Sequence, residues 1–263
     1  MKRPSLRMAG LLRLLACAAV TAAPCSVLAA PEARAEARAP HEPHHRLDTS
    51  TPGHARDVAL TLDACGGAYD ADLIATLVRL QVPATIFVTR RWLDANPAAV
   101  RELLAHPTLF EMENHGSAHV PAVVGGSVYG LPGARDAAGV EREVEGGAQA
   151  IARASGRAPT WYRGAGAVYG EQGEQTIARL GYRIAGFSLN ADDGGTLGAA
   201  SVARRLRDVR PGDIVIAHLN RPASGTAEGL AAALPELLAH DLRFVTLSQS
   251  AGVQPATNRG PSR

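Results

Sequence analysis

The chain has 263 residues, 46% hydrophobic, 20% charged and 4% aromatic, with a formal net charge of +2. That is enough chain to bury one large core, too apolar for a disordered polymer, and too evenly charged to draw in nucleic acid.

Lys2, Arg3 and Arg7 precede an apolar run from Leu11 to Val20, small residues stand at Ala29 and Ala30, and the first acidic residue is Glu32. Residues 1–30 read as a secretory signal peptide, the apolar stretch being too short and interrupted to span a bilayer. A lipoprotein signal ending at Cys17 is the alternative. The protein is expected in the periplasm or outside the cell, with no stable membrane insertion after cleavage. Cleavage removes Lys2, Arg3, Arg7 and Arg13 from the 27 basic side chains and leaves the 25 acidic ones in slight excess, so no nucleic-acid partner is expected. Cys65 is then the one remaining thiol, and no intrachain disulfide can form.

Residues 31–55 are rich in Ala, Pro, Glu, Arg and His without apolar periodicity, the composition of a disordered linker. Its His41-Glu42-Pro43-His44-His45 tract reads as solvated tail or as a weak metal binder. A domain over 56–252 and a flexible tail over 253–263 complete the expected organisation. Strands are expected at 58–63, 84–89, 109–114, 160–163, 183–189, 213–218 and 244–248, and helices at 70–81, 97–105, 139–154, 171–180, 199–209 and 226–239. In the first helix, Leu73, Ile74, Leu77 and Leu80 make one apolar face. Strands alternating with helices point to an α/β protein, a parallel (β/α) barrel with its helices outside.

In such barrels the chemistry sits where strands run into their following loops. Asp63 closes the first strand, His115 follows the third, Arg163 ends the fourth, Asp192 and Asp193 follow the fifth and His218 ends the sixth. His115 and His119 stand four apart, the spacing that aligns two imidazoles on one helical turn toward a metal such as Zn²⁺. Asp63 runs into Gly66 and Gly67 and can ligate a metal, take a proton or cap the next helix. Arg163 can fork onto a carboxylate, or serve as a structural ion pair. His218 is either a satisfied core residue or an acid kept protonated by Asp192 or Asp193. Asn220 and Arg221 follow it and can line a substrate cleft, while Thr226 reads as the N-cap of the last helix.

This pattern resembles the polysaccharide deacetylase family, the NodB-homology domain of carbohydrate esterase type, over about residues 56–250. Thr61-Leu62-Asp63 resembles the first of five motifs, His115-Gly116-Ser117-Ala118-His119 the second and Arg163 with its small followers the third. Asn190-Ala191-Asp192-Asp193 resembles the fourth and Asp213-Ile214-Val215-Ile216-Ala217-His218 the fifth. The resemblance implies a distorted (β/α)7 barrel and a metal-dependent hydrolase releasing acetate from an N-acetylated glycan such as peptidoglycan or an exopolysaccharide. By position it implies Asp63 as general base, oriented by Arg163, and His218 as general acid, held by Asp193 or Asp192. His115 and His119 become ligands of a divalent ion, Zn²⁺ first, with Co²⁺ or Ni²⁺ as alternatives.

The first motif departs from the family at its second Asp, which is Ala64 here. Three readings stay open: Asp63 is itself a ligand, Cys65 supplies a thiolate, or the metal is weak or absent. A hydrolase of another C–N amide and a catalytically silent glycan-binding protein remain as alternative functions. Having only two tryptophans, Trp92 and Trp161, argues against the binding module.

Overall fold

The computed structural model describes residues 39–256. The expected signal peptide, Cys17 and the last seven residues lie outside them. The described chain begins with β1 (His45–Leu47), β2 (Asp57–Ala64), α1 (Ala71–Leu80), β3 (Ala84–Val88), α2 (Arg90–Ala95), α3 (Pro97–Leu104) and β4 (Phe110–Asn114). A hairpin of β5 (Ser127–Val128) and β6 (Leu131–Pro132) precedes α4 (Ala137–Ser155), β7 (Trp161–Tyr162), α5 (Glu171–Arg179), β8 (Arg183–Ile184) and β9 (Leu189–Asn190). Then come α6 (Ala199–Leu206), β10 (Ile214–His218), α7 (Thr226–Ala239), β11 (Arg243–Val245) and β12 (Val253–Pro255).

The main sheet runs β8-β7-β4-β3-β2-β10-β9, with β11 against the start of β2, and its pairings are parallel. Its outermost strands, β8 and β9, belong to one stretch of chain, 183–190, so the sheet curls until its two ends meet on a single segment. This is the expected distorted (β/α) barrel. Every residue of β2 is buried because the strand has two apolar neighbours. Val58, Leu60, Leu62 and Ala64 pack outward with Leu73, Ile74 and Leu77 of α1, whereas Ala59 packs inward with Phe87, Ile214 and Ile216. Thr61 and Asp63 share the inward parity of Ala59. Asp70, not Asp63, caps α1, accepting the Leu73 N–H at 3.1 Å.

Four expectations need correction. From residue 39 onward the supposed linker is ordered against the barrel. His41 exchanges backbone hydrogen bonds with Tyr169, Arg46 is ion-paired with Asp213, Leu47 is buried, and β1 pairs antiparallel with β12. Polar composition hid a segment whose backbone groups are paired by the barrel rather than by its own periodicity. For the same reason the supposed tail forms β12 at Val253–Pro255.

The single expected strand at 183–189 is two, β8 and β9, because the N-terminal segment crosses between them. A side chain at Gly186 would sit 2.1 Å from the Pro43 carbonyl oxygen. Thr226 caps nothing: Gly225 is the N-cap of α7. Helix α2 was not expected at all; the hydroxyl of Thr89 caps it, accepting from the Trp92 N–H at 3.1 Å. Among the described residues, no helix is long and apolar enough to cross a membrane.

Candidate active site

Parallel register sets Asp63 of β2 beside His218 of β10 and Phe87 of β3. Arg163, one residue beyond β7, is fully buried and reaches across the barrel. Its Nη1 donates to Asp63 Oδ1 at 2.9 Å and to Thr61 Oγ1 at 2.8 Å, and its Nε donates to the Ala185 carbonyl at 3.1 Å. The guanidinium also lies 4.3 Å over the Phe87 ring. Burial pushes the Asp63 carboxyl up, but Arg163, with His115 and His218, more than reverses this and keeps it below the usual carboxylate range. Asp63 is therefore ionised and already hydrogen-bonded.

His218 is held by Asp192, which corrects the expectation that included Asp193. Its Nδ1–H donates to Asp192 Oδ1 at 2.9 Å and its backbone N–H donates to Oδ2 at 2.7 Å. The Thr226 hydroxyl, freed from any capping role, donates to the same Oδ2 at 2.9 Å. Burial pushes the imidazole down, and the bond to Asp192, with Cys65 and Asp63 nearby, raises it to about 10. Asp193 has a left-handed backbone (φ 52°) and lines the same cavity as His218.

The two expected ligand histidines also meet, though on a loop rather than a helical turn: 115–119 follows β4 with no helix, and His119 has φ 66°. Glu143 of α4 shapes this loop. Its carboxylate accepts the Ala118 N–H at 2.9 Å and the Val120 N–H at 3.0 Å. Gly116, at φ +92°, leaves room for it, since a Cβ there would fall 2.4 Å from Glu143 Oε1. His115 Nδ1–H donates to the Arg163 carbonyl at 2.6 Å, which leaves Nε2 to face Cys65 Sγ at 3.4 Å.

One nitrogen-or-sulfur atom from each of Cys65, His115 and His119 lies within 4.8 Å of the other two. Asp63 is not in this group: its Oδ2 is 3.8 Å from His115 Nε2 and its Oδ1 is committed to Arg163. The structure thus favours the thiolate reading over Asp63 as ligand. Cys65 continues the inward parity of Ala59, Thr61 and Asp63, while Ala64 lies in the outer core. Burial raises the thiol, yet the charge and hydrogen bond of His115, with His119 and His218 close by, hold it well below the ordinary thiol range. The buried Nε2 of His119 has no hydrogen-bond partner. A thiolate, a tautomer-fixed imidazole and an orphaned imidazole nitrogen are a donor set that fits a borderline-soft divalent ion.

These groups open into a cavity of about 750 Å³ whose wall also includes Glu42, Arg91, Tyr129, Phe187, Asn220 and Arg221. Asn220 and Arg221 are thus at the cavity as expected, although Asn220 Nδ2 is occupied by the Gly66 carbonyl at 2.6 Å. Glu42, Arg91, Tyr129 and the positioning residue Glu143 were missed. Glu143 fell within the helix expected at 139–154 and Glu42 within the histidine-rich tract, whereas Arg91 lies on α2, which the sequence did not mark.

A carboxylate and an imidazole of raised pKa on neighbouring strand ends of a parallel barrel can serve as general base and general acid. The family model for polysaccharide deacetylases matches residues 50–185, more than half of the sequence. The chain belongs to the polysaccharide deacetylase family. No curated protein matches it.

Among solved structures it is similar to a family 4 carbohydrate esterase pseudoenzyme from Bacillus anthracis, with a TM-score of 0.63 and 18% identity over 78% of this chain and 66% of that one. It is also similar to a peptidoglycan N-acetylglucosamine deacetylase, with a TM-score of 0.64 and 19% identity over 77% and 89%. A family 4 acetyl xylan esterase from Clostridium thermocellum, in complex with cobalt, gives 0.62 and 21% over 73% and 89%. At these identities the likeness is one of fold.

Proposed function

We propose that this protein is an exported, metal-dependent deacetylase that removes N-acetyl groups from a polysaccharide such as peptidoglycan or an exopolysaccharide. One observation carries the reading: the thiol of Cys65 stands with His115 and His119, which leaves Asp63 free, ionised and oriented. In a site with Asp63 as ligand and Ala64 beside it, no first-motif carboxylate would remain as base.

Cys65, His115 and His119 would hold the ion, Zn²⁺ before Co²⁺ or Ni²⁺ given the sulfur donor, and the ion would supply Lewis-acid stabilisation of the charge that develops on the acetamide oxygen. Asp63 takes the proton of the attacking water, its charge kept in place by Arg163. His218, protonated and fixed through Nδ1 by Asp192, delivers a proton to the departing amine nitrogen. Acetate and a free amino sugar leave. The basic, apolar N-terminus supports export. The likeness in fold to an acetyl xylan esterase in complex with cobalt supports the metal.

The test is metal analysis and acetate release from N-acetylated sugar oligomers by the mature protein. Stoichiometric metal with acetate release is expected. No metal and no acetate would overturn the reading, and glycan binding retained without acetate would instead identify the silent binder that the likeness to a pseudoenzyme suggests.

A further inference from the structure

A second groove, of about 580 Å³, opens beside the catalytic cavity and shares Arg91, His119 and Leu131 as its wall. Both volumes fall within the ~300–1,000 Å³ usual for small-ligand sites. The cavity holds Asp63, His115 and His218, whereas the groove is walled by three arginines, Arg91, Arg135 and Arg142, all exposed.

Glu143 lines the groove and Asp136 pairs with Arg142, and both carboxylates are already engaged. Glu143 is turned inward to the Ala118 and Val120 N–H groups. Asp136 Oδ1 caps α4 through the Gly139 N–H at 2.6 Å and lies 3.9 Å from Arg142 in a largely exposed pair of little strength. Arg91 is fixed by its Nε, which donates to the Cys65 carbonyl at 2.8 Å, so its outer nitrogens stay available. Between cavity and groove stands the β5–β6 hairpin, whose two-residue turn at Tyr129 (φ 48°) and Gly130 (φ 78°) holds the tyrosine ring out, 78% exposed. An exposed ring at the mouth of a polar cavity is a stacking face for a pyranose.

We propose that the arginine-walled groove is a subsite for a negatively charged sugar residue next to the one that loses its acetyl group, so that the substrate is an acidic glycan. The reading rests on the deacetylase assignment of the adjoining cavity. Guanidinium groups are suited to carboxylate or phosphate substituents because their planar fork donates two parallel hydrogen bonds. Continuity through Arg91 and Leu131 puts the two sugar sites on one path across Tyr129.

The double variant Arg135→Gln/Arg142→Gln tests this, because neither side chain touches the catalytic groups. Binding is measured by calorimetry for an oligomer of alternating glucuronic acid and N-acetylglucosamine, and for a neutral N-acetylglucosamine oligomer of equal length. Protein carrying Asp63→Asn is used, so that the sugars are not turned over. The charged oligomer should bind more tightly, with a preference that shrinks as salt rises, and the double variant should weaken it about tenfold while leaving the neutral oligomer unchanged. Equal binding of the two, no binding of the charged oligomer, or a preference that survives in the double variant would overturn the subsite. Acetate release by protein with Asp63 intact is scored separately. Charge-dependent binding without acetate leaves the subsite standing and removes the deacetylase reading; acetate release without a charge preference does the reverse.

Discussion

The active site has two halves of different construction. Asp63, Arg163, His218 and Asp192 stand on or just beyond barrel strands and satisfy one another through hydrogen bonds of 2.7–2.9 Å. Cys65 and His115 stand one residue past β2 and β4 and His119 on the loop that follows, and the three meet at longer range and include a buried nitrogen with no partner. The strand half is preorganised by the fold, with its charges already compensated. The loop half is a set of donors that the fold leaves short of protein partners.

That difference is open to measurement. On the proposed roles, with Asp63 as base and not as ligand, Asp63→Asn should lower kcat by about 10²–10⁴-fold while metal content stays stoichiometric. Loss of the ion in this variant would merge the two halves. Cys65→Ser should do the opposite, weakening metal affinity at least about hundredfold with the thermal transition of the metal-free protein little changed.

A third experiment tests how completely the strand region has satisfied its charges. Glu113 of β4 accepts the Thr160 and Trp161 N–H groups at 2.8 and 2.7 Å, yet burial, with the nearby charge of Glu111, raises its pKa to about 7. A carboxyl raised on folding contributes stability that is full below its unfolded value near 4.5 and is lost as pH climbs through 7. Denaturant titrations between pH 5 and 8 should therefore show wild type losing on the order of 2 kcal/mol that Glu113→Gln does not lose. The smallest expected effect is that of Glu143→Gln, which loosens the histidine loop without touching a ligand. Metal affinity should fall about tenfold with kcat of the loaded protein unchanged.

The strand half was legible in the sequence because strand ends carry their own signature, an apolar run broken by a charged residue. That signature placed Asp63, Arg163 and His218 at one end of the barrel, and their roles came from the family resemblance. The direction of the Cys65 thiol was left open by the sequence; in the structure the period-two alternation runs one residue past β2, so that Asp63 and Cys65 share a face and Ala64 takes the other. The choice between Asp192 and Asp193 was not legible, since it turns on a left-handed residue in an irregular loop. The His115–His119 spacing suggested a helical turn, but Gly116 and the carboxylate of Glu143 impose a loop that only tertiary packing defines. The segment from His41 to Leu47 was hidden for the converse reason. Its polar composition describes what faces solvent, while its order comes from backbone pairing with Tyr169, Phe187 and Gly212.

That segment has a mechanical consequence. In the β1–β12 ladder His45 lies opposite Pro255 and Leu47 opposite Val253, so the chain enters and leaves the ladder at the same end. Tension applied through the flanking residues loads these hydrogen bonds one after another, as a zip, rather than together in shear. The backbone bonds of His41 with Tyr169 and of His45 with Phe187 take up the same pull, so the N-terminal segment is loaded before the central barrel strands. Peeling β1 away draws on Glu42, three residues before it, which forms part of the catalytic cavity wall. A pull on the ends of this protein would thus be felt first at the mouth of its active site.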